Sequence, residues 1–355
     1  MKNGLFLKEL VEEKGRITDL RKIGGAVEGV GNVLYSTDVL LNAILSGKRL
    51  YTNEYETDKK LKIPGTDVEY NPEKVQDWAR VAQGAALAAT KGDLPKAIPG
   101  MMPFMAAFQA IETQKSGEKA ADEWKTAYAA YQQNNQDALK KLVPVAWENT
   151  KNAFESGMLS GAALSHTPVI RNLFSTLPGS VVFGRDMTQG GTKQLVQTVT
   201  DGKPWDLEKG WEAAQGAGQV GFGVMMKHQA GKEAAELAAK AAAKTGAKKI
   251  PGLAWIPGLA FGAMRLGDAA VSAWEGDWTG ALQDVGAAGG EVASGVMGSI
   301  PGPGTAGSIA TDVRLGTYDW YRQQRKEKRK QESPYKKAVF ESTVRNVLNK
   351  NIFGR

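Results

Sequence analysis

The sequence predicts an all-α protein built as an elongated array of helical hairpins, and three observations carry that expectation. Apolar residues recur at intervals of three and four along most of the chain, which is the period of a helix face and not of a strand. Runs such as Gly231-Lys-Glu-Ala-Ala-Glu-Leu-Ala-Ala-Lys-Ala-Ala-Ala-Lys244 consist almost wholly of strong helix formers. Glycine supplies 42 of the 355 residues and aromatic residues only 8%, so the apolar content is weighted towards Gly and Ala. Such helices bury little area each but let their backbones approach closely, which predicts thin Gly/Ala-rich layers and not one thick core.

Residues 1–50 read as Gly-interrupted amphipathic helices. Ile23, Val27, Val30 and Leu34 share one face, Gly24, Gly25, Gly29 and Gly31 lie beside it, and Ser46-Gly47-Lys48 marks the stop. Residues 51–157 form a helical region that opens with a polar loop, in which the alternation from Leu61 fits a small β-hairpin within 61–70. A helix then starts at Pro72 and runs through Trp78 to about Lys91. Pro95, Pro99 and Pro103 predict a break over 93–103. Helices are expected at Phe104–Gln114, from Lys119 to about Leu142, with Gly117 between them, and from Pro144 to Phe154. The Gly- and Ser-rich stretch Glu155–Ser165 is expected to break the chain again. Residues 158–250 combine an irregular segment, with short strands or helices near Val169 and Val181, and a helix from Trp205 to Lys249. Residues 251–310 read as a Gly/Ala/Trp-rich hairpin, with arms Leu253–Trp274 and Ala281–Ile300. Residues 311–355 give a basic helix to Gln331, a break at Ser333-Pro334, and a last amphipathic helix.

Catalytic chemistry finds little to use. The absence of cysteine excludes disulfides, thiolate nucleophiles and Cys-ligated zinc. The two histidines, His166 and His228, sit in no metal-ligand spacing, and no Gly-x-Ser-x-Gly elbow accompanies them. Gly216-Ala-Gly218-Gln-Val-Gly221 and Gly302-Pro-Gly304-Thr-Ala-Gly307 match the dinucleotide fingerprint in letters, but neither follows a buried strand, as the pyrophosphate site requires. Paired carboxylates remain as an enzymatic alternative, with Glu148, Glu155 and Glu291 as candidates for a lytic, peptidoglycan-cleaving or toxin-like activity. The expectation is a non-enzymatic protein with no cofactor and no metal.

The informative features are surfaces. Residues 251–310 are nearly free of Lys and Arg, and contain Trp255, Phe261, Arg265, Asp268, Trp274, Trp278, Gly286 and Gly290. The first arm approaches the length of a bilayer span but carries Arg265 and Asp268, placed three apart so that they can pair on one face. Gly286 and Gly290 have the small-xxx-small spacing that permits close helix contact. Two readings stay open: a tightly packed soluble hairpin, and a conditional membrane-contacting element whose tryptophans suit interfacial positions. The net charge is +7, and Arg322, Arg325, Lys326, Lys328, Arg329 and Lys330 concentrate it in a tail. That tail reads either as a solvated helix face or as a contact for anionic lipid or DNA phosphates, in the latter case without sequence preference. The N-terminus mixes acids and bases within its first ten residues and lacks the apolar stretch of a signal peptide.

The order Gly/Ala helix, Gly276-Asp-Trp-Thr-Gly-Ala-Leu282, Gly/Ala helix, Ile300-Pro-Gly-Pro-Gly-Thr-Ala306 resembles small-residue hairpins of phage virion proteins and of pre-toxin regions in polymorphic toxins. With its Ala- and Gln-rich helices and basic tail, the chain is similar in character to bacteriophage internal virion, or ejection, proteins. The resemblance implies a homo-oligomer that associates with other virion proteins in the virion interior or beside the portal. It would then help form a conduit for genome delivery across the host envelope, in contact with host membrane lipids. A purely structural capsid, portal-proximal or tail component is the alternative within the same class.

Overall fold

The computed structural model describes residues 29–55, 60–63, 66–167, 177–245, 256–298, 300 and 303–352, and the side chains of all of these except 177–178, 237–245 and 330–352. The fold is all-α. Nine helices lie in the described residues, together with one two-stranded antiparallel ribbon. That ribbon pairs β1 (Leu61–Lys62) with β2 (Glu69–Tyr70), within the range its alternation suggested.

Helix α1 spans 29–52, α2 Pro72–Ala89, α3 Leu94–Gln132 and α4 Gln136–Ser165. They are followed by α5 (Leu177–Thr200), α6 (Leu207–Thr245), α7 (Ile256–Trp274), α8 (Trp278–Gly298) and α9 (Pro303–Ile352). Consecutive helices form three hairpins, α3 with α4, α5 with α6 and α7 with α8, and α9 packs across α8 and α5. Asn71, Asp93 and Asn135 cap α2, α3 and α4, each accepting a hydrogen bond from the amide three residues on. The core is rich in methionine: Met101, Met102, Met105, Met225 and Met226 pack with Leu87, Leu94, Phe183, Phe222 and Phe261. Methionine suits such a core, because its flexible side chain fills irregular gaps between closely crossing helices.

Several expected breaks are absent. Helix α3 runs unbroken through 93–103 and past Gly117. Pro95 stands in its first turn, where no amide partner is lost. Pro99 and Pro103 follow at intervals of four on the solvent-facing side, while Leu94, Ala97, Ile98, Met101, Met102 and Met105 fill the opposite face. The carbonyls that lose a donor therefore turn to water, and the helix continues. Helix α4 contains Pro144 and extends through Glu155–Ser165, because Leu159, Ala162 and Ala163 are buried in the core and outweigh the weak helix preference of Gly157 and Gly161. The segment with no clear sequence pattern contains α5, and Ser333-Pro334 lies inside α9.

The face expected on α1 is also corrected. Ile23 and Val27 lie outside the described residues, Val30 is exposed and Leu34 half-buried. The buried face carries Gly31, Tyr35 and Val39 instead, with the Tyr35 ring stacked on Phe222 at 4.3 Å between centroids. Glycine explains the inversion. A Cβ at Gly218 on α6 would fall 2.9 Å from the Tyr35 amide, so α1 sits where its backbone can touch another backbone, and Val30 and Val33 are left pointing outward.

Candidate functional site

The turn between α7 and α8 is set by two residues. Gly276 adopts φ +78°, which a side chain would resist, and Asp277 caps α8 by accepting the Gly280 amide at 2.8 Å. The two arms cross closely. A Cβ at Gly258 would lie 3.0 Å from Gly295 Cα, and one at Gly262 would lie 3.2 Å from the Ala288 carbonyl oxygen. Helix contact thus runs through Gly258 and Gly262 on one arm and Ala288, Glu291, Val292 and Gly295 on the other. Gly286 faces open space, and Gly290 faces Leu315 of α9, where an added Cβ would fall 3.2 Å from Leu315 Cδ2.

With the arms in this rotation, the hairpin turns its charges inward. Arg265, Asp268, Asp277, Asp284 and Glu291 are all buried, Arg265 at 2% exposure and Glu291 at 1%. Arg185 of α5 holds Glu291 with two parallel hydrogen bonds, Nε to Oε2 at 2.8 Å and Nη2 to Oε1 at 2.7 Å. Arg265 donates to the same carboxylate at 3.2 Å and also grips Asp319 of α9, with Nη2 to Oδ2 at 2.7 Å. Asp268 receives Trp147 Nε1 at 3.0 Å and Lys151 Nζ at 3.1 Å from α4, and Arg322 of α9 approaches it at 3.4 Å. Asp284 accepts from Ser272 at 2.8 Å and from the Tyr318 hydroxyl at 2.6 Å, with Arg322 Nε 2.9 Å away. Lys227 of α6 pairs with Asp312, and Gln189 links Asp312 to Glu291. Five cations, Lys151, Arg185, Lys227, Arg265 and Arg322, therefore face five carboxylates, Asp268, Asp284, Glu291, Asp312 and Asp319.

This balance fixes the protonation states. Burial disfavours charge on Asp319, but Arg265 outweighs it and holds the carboxyl down at about 2. Burial likewise works against ionised Glu291 and Asp268, and loses to Arg185 on the first and Lys151 on the second, so both stay below the usual carboxylate range. Asp186, next to Arg185, behaves oppositely. Burial raises it to about 6, Arg185 opposes that, and Glu155 and Glu291 add to the rise.

The outward face is the complement. On α7 the exposed residues are Ile256, Leu259, Ala263, Leu266, Ala270 and Trp274, at spacings of three and four. On α8 they include Trp278, Leu282, Val285, Gly289, Ala293 and Val296, with Leu282 at 75% exposure and Trp278 at 70%. Neither set contains a charge, and Glu275 at the turn is the only exposed charge between Ile256 and Gly298. Helices of soluble proteins normally show the reverse pattern.

The residues singled out from sequence separate accordingly. Trp274 and Trp278 flank the turn and are exposed. Phe261 is buried, under the Arg185 guanidinium at 3.6 Å and edge-on to Phe154, and Trp255 lies outside the described residues. Arg265 and Asp268 do not pair with each other but with separate partners on other helices. Within the basic tail, Arg322 is buried against Asp284 and Asp268, while Arg325 and Arg329 pair with Asp277 at 3.4 and 2.8 Å. Lys326 is half-buried, and burial together with Arg322 lowers its pKa. Lys328 is exposed, and the Lys330 side chain lies outside the described residues. Much of the tail is therefore counter-charge for the hairpin. Arg185, Lys227 and Lys151 were missed in sequence because single cations scattered over α4, α5 and α6 carry no local pattern.

The other candidates resolve into packing. Gly216, Gly218 and Gly221 lie inside α6 and admit α5 and α1: a Cβ at Gly216 would fall 3.0 Å from the Gly191 carbonyl oxygen. His166 is buried with Ser180 Oγ at 3.4 Å, and His228 is exposed. Glu148 is exposed, Glu155 is half-buried, and Glu291 is bound by two arginines. A mixed polar and apolar cavity of about 310 Å³ lies away from the hairpin, between Tyr35, Asp38, Arg80 and Phe108. Among the described residues no three His, Cys, Asp or Glu side chains form a metal-holding group, and no helix is long and apolar enough to cross a membrane. Compared with known proteins, the chain matches no family model, no curated protein and no solved structure.

Proposed function

We propose that this chain is a non-enzymatic assembly protein of a bacteriophage virion, an internal or ejection protein. It oligomerises and contacts membrane lipid to assist genome delivery. One observation carries the reading: the α7–α8 hairpin buries every charge but Glu275 and presents an uncharged apolar face. Contiguous apolar surface of this kind marks a contact site for protein or membrane. A charged side chain at a bilayer centre costs about 2.5–3.5 kcal/mol on insertion scales, and in this hairpin each such group already has a partner. Trp274 and Trp278 at the turn suit the headgroup level, where an indole keeps one edge wet. Sequence-independent contact with DNA phosphates falls on Lys328 and not on Arg322, whose guanidinium is occupied.

A structural virion component is the second reading, favoured by the lack of any described helix long and apolar enough to cross a membrane. There the same face is covered by a neighbouring subunit. Flotation of the purified full chain with vesicles of phosphatidylcholine, with and without phosphatidylglycerol, separates the two, alongside light scattering for oligomeric state. Salt-resistant flotation supports the first reading. A stable oligomer without flotation supports the second, salt-sensitive flotation assigns binding to the basic residues alone, and a monomer that never floats overturns both.

A further inference from the structure

We infer that the α7–α8 hairpin meets lipid closed, still clamped to α4, α5 and α9 with each buried charge of its arms partnered, and not as two arms that unfurl. The inference rests on reading the hairpin face as a lipid contact and specifies what enters with it. Unfurling would carry Arg265, Asp268, Asp284 and Glu291 away from Arg185, Asp319 and Arg322, placing uncompensated charges on both arms. Every one of those charges is satisfied by a helix other than its own, so the charges stay partnered only in the packed group of helices. The outer face, by contrast, is already apolar without any rearrangement, from Ile256 and Leu259 at one end to Trp274 and Trp278 at the other. At the turn Arg325 and Arg329 share the single Asp277 carboxylate, and Lys328 on the same stretch of α9 is exposed, so cation is in excess over acid there, a chemistry that matches anionic headgroups. The arrangement therefore lays the hairpin on or shallowly into a lipid surface, turn and basic rim together.

The chain has no cysteine, so spin labels go only where they are introduced. Thr279→Cys and Gln324→Cys are both at exposed positions, one at the turn end of α8 and one on α9. Their label–label distance is measured by pulsed electron resonance, in solution and on phosphatidylglycerol-containing vesicles. An unchanged distance on vesicles that float the protein is the expected result, and a lengthening of one helix diameter or more overturns the inference. A Gly290→Cys, Leu315→Cys variant gives an independent check, since a Cβ at Gly290 lies 3.7 Å from Leu315 Cγ and disulfide closure would tie α8 to α9. The oxidised protein should float as well as the reduced one, and loss of flotation on oxidation, restored by reductant, means that the arms must open. Leu282→Asp with Val285→Asp tests the face itself: flotation should fall at least tenfold with the melting transition unchanged. If the unsubstituted protein does not float at all, the lipid reading fails before the question of opening arises.

Discussion

Arg185 and Glu291, 106 residues apart in sequence, meet through two parallel hydrogen bonds of 2.8 and 2.7 Å, with the Phe261 ring stacked beneath the guanidinium. The pair ties α5 to the second arm of the hairpin, and Arg265 joins it from the first arm. Removing one partner of a buried pair leaves the other charge unsolvated, which costs roughly 3–5 kcal/mol. Glu291→Gln is expected to lose about that much in urea denaturation, because it leaves the buried Arg185 without its carboxylate, while Arg265 keeps Asp319. A loss below about 1 kcal/mol would mean that water reaches the cluster freely.

The six tail cations are expected to divide sharply. Arg322→Ala uncovers Asp268 and Asp284 together and should lower stability by about 3–5 kcal/mol. Lys328→Ala changes an exposed side chain and should leave the melting transition within about 0.5 kcal/mol of the parent. Binding to anionic vesicles or to DNA should show the opposite ranking once the Arg322 variant is corrected for its folded fraction. Thermal melts beside flotation at low salt measure both. Equal effects of the two variants on stability would contradict the assigned roles.

These two arginine sets show what the sequence made legible. Helical period, the 61–70 ribbon and the turn at Glu275–Trp278 follow from local rules of spacing, capping and glycine conformation, and all three appear where expected. Arg265 and Asp268 were visible as charges out of place in an apolar arm, but not their partners, since each pairs across more than 25 residues with a helix whose rotation no local pattern fixes. The breaks expected at Pro99, Pro103 and Pro144 failed for a related reason. A proline's cost depends on whether its orphaned carbonyl meets water or core, which is a tertiary property. The inverted faces of α1 and of the hairpin have the same origin, because glycine placement decides which side another backbone can approach.

Acidification should not loosen the hairpin. Asp319, Asp268 and Glu291 have folded pKa values depressed below their unfolded ones, so their stabilisation is present above the unfolded values and is lost only as pH falls through the folded ones, about 2 for Asp319. Asp186 runs the other way. Its carboxyl sits at about 6 among Arg185, Glu155, Glu291 and Tyr35, against 3.8 unperturbed, so it weakens the fold at pH 7 and stops doing so as it protonates. Asp186→Asn is therefore expected to melt about 2–5 °C higher than the parent at pH 7. That gap should narrow as pH falls through about 6 and close near 3.8. Calorimetry across this range checks it, and a gap that widens on acidification would reverse the assignment. Flotation, on the same grounds, should be equal at pH 7 and pH 5.

Two glycines give the same substitution opposite signs. A Cβ at Gly223 on α6 would fall 2.7 Å from the Thr188 amide nitrogen and 2.9 Å from the Gly184 carbonyl oxygen of α5, and backbone atoms of a packed helix cannot step aside singly. Gly223→Ala should force α5 and α6 apart and cost about 3 kcal/mol, the upper range for overpacking. At Gly286 nothing lies within 4 Å, so Gly286→Ala adds only helix propensity and should stabilise by roughly 0.5–1 kcal/mol. Denaturant midpoints of the two variants decide the matter. Destabilisation at Gly286 in a concentration-dependent manner would show that a second copy occupies that open side of α8. The hairpin face would then belong to an interface between subunits and not to lipid.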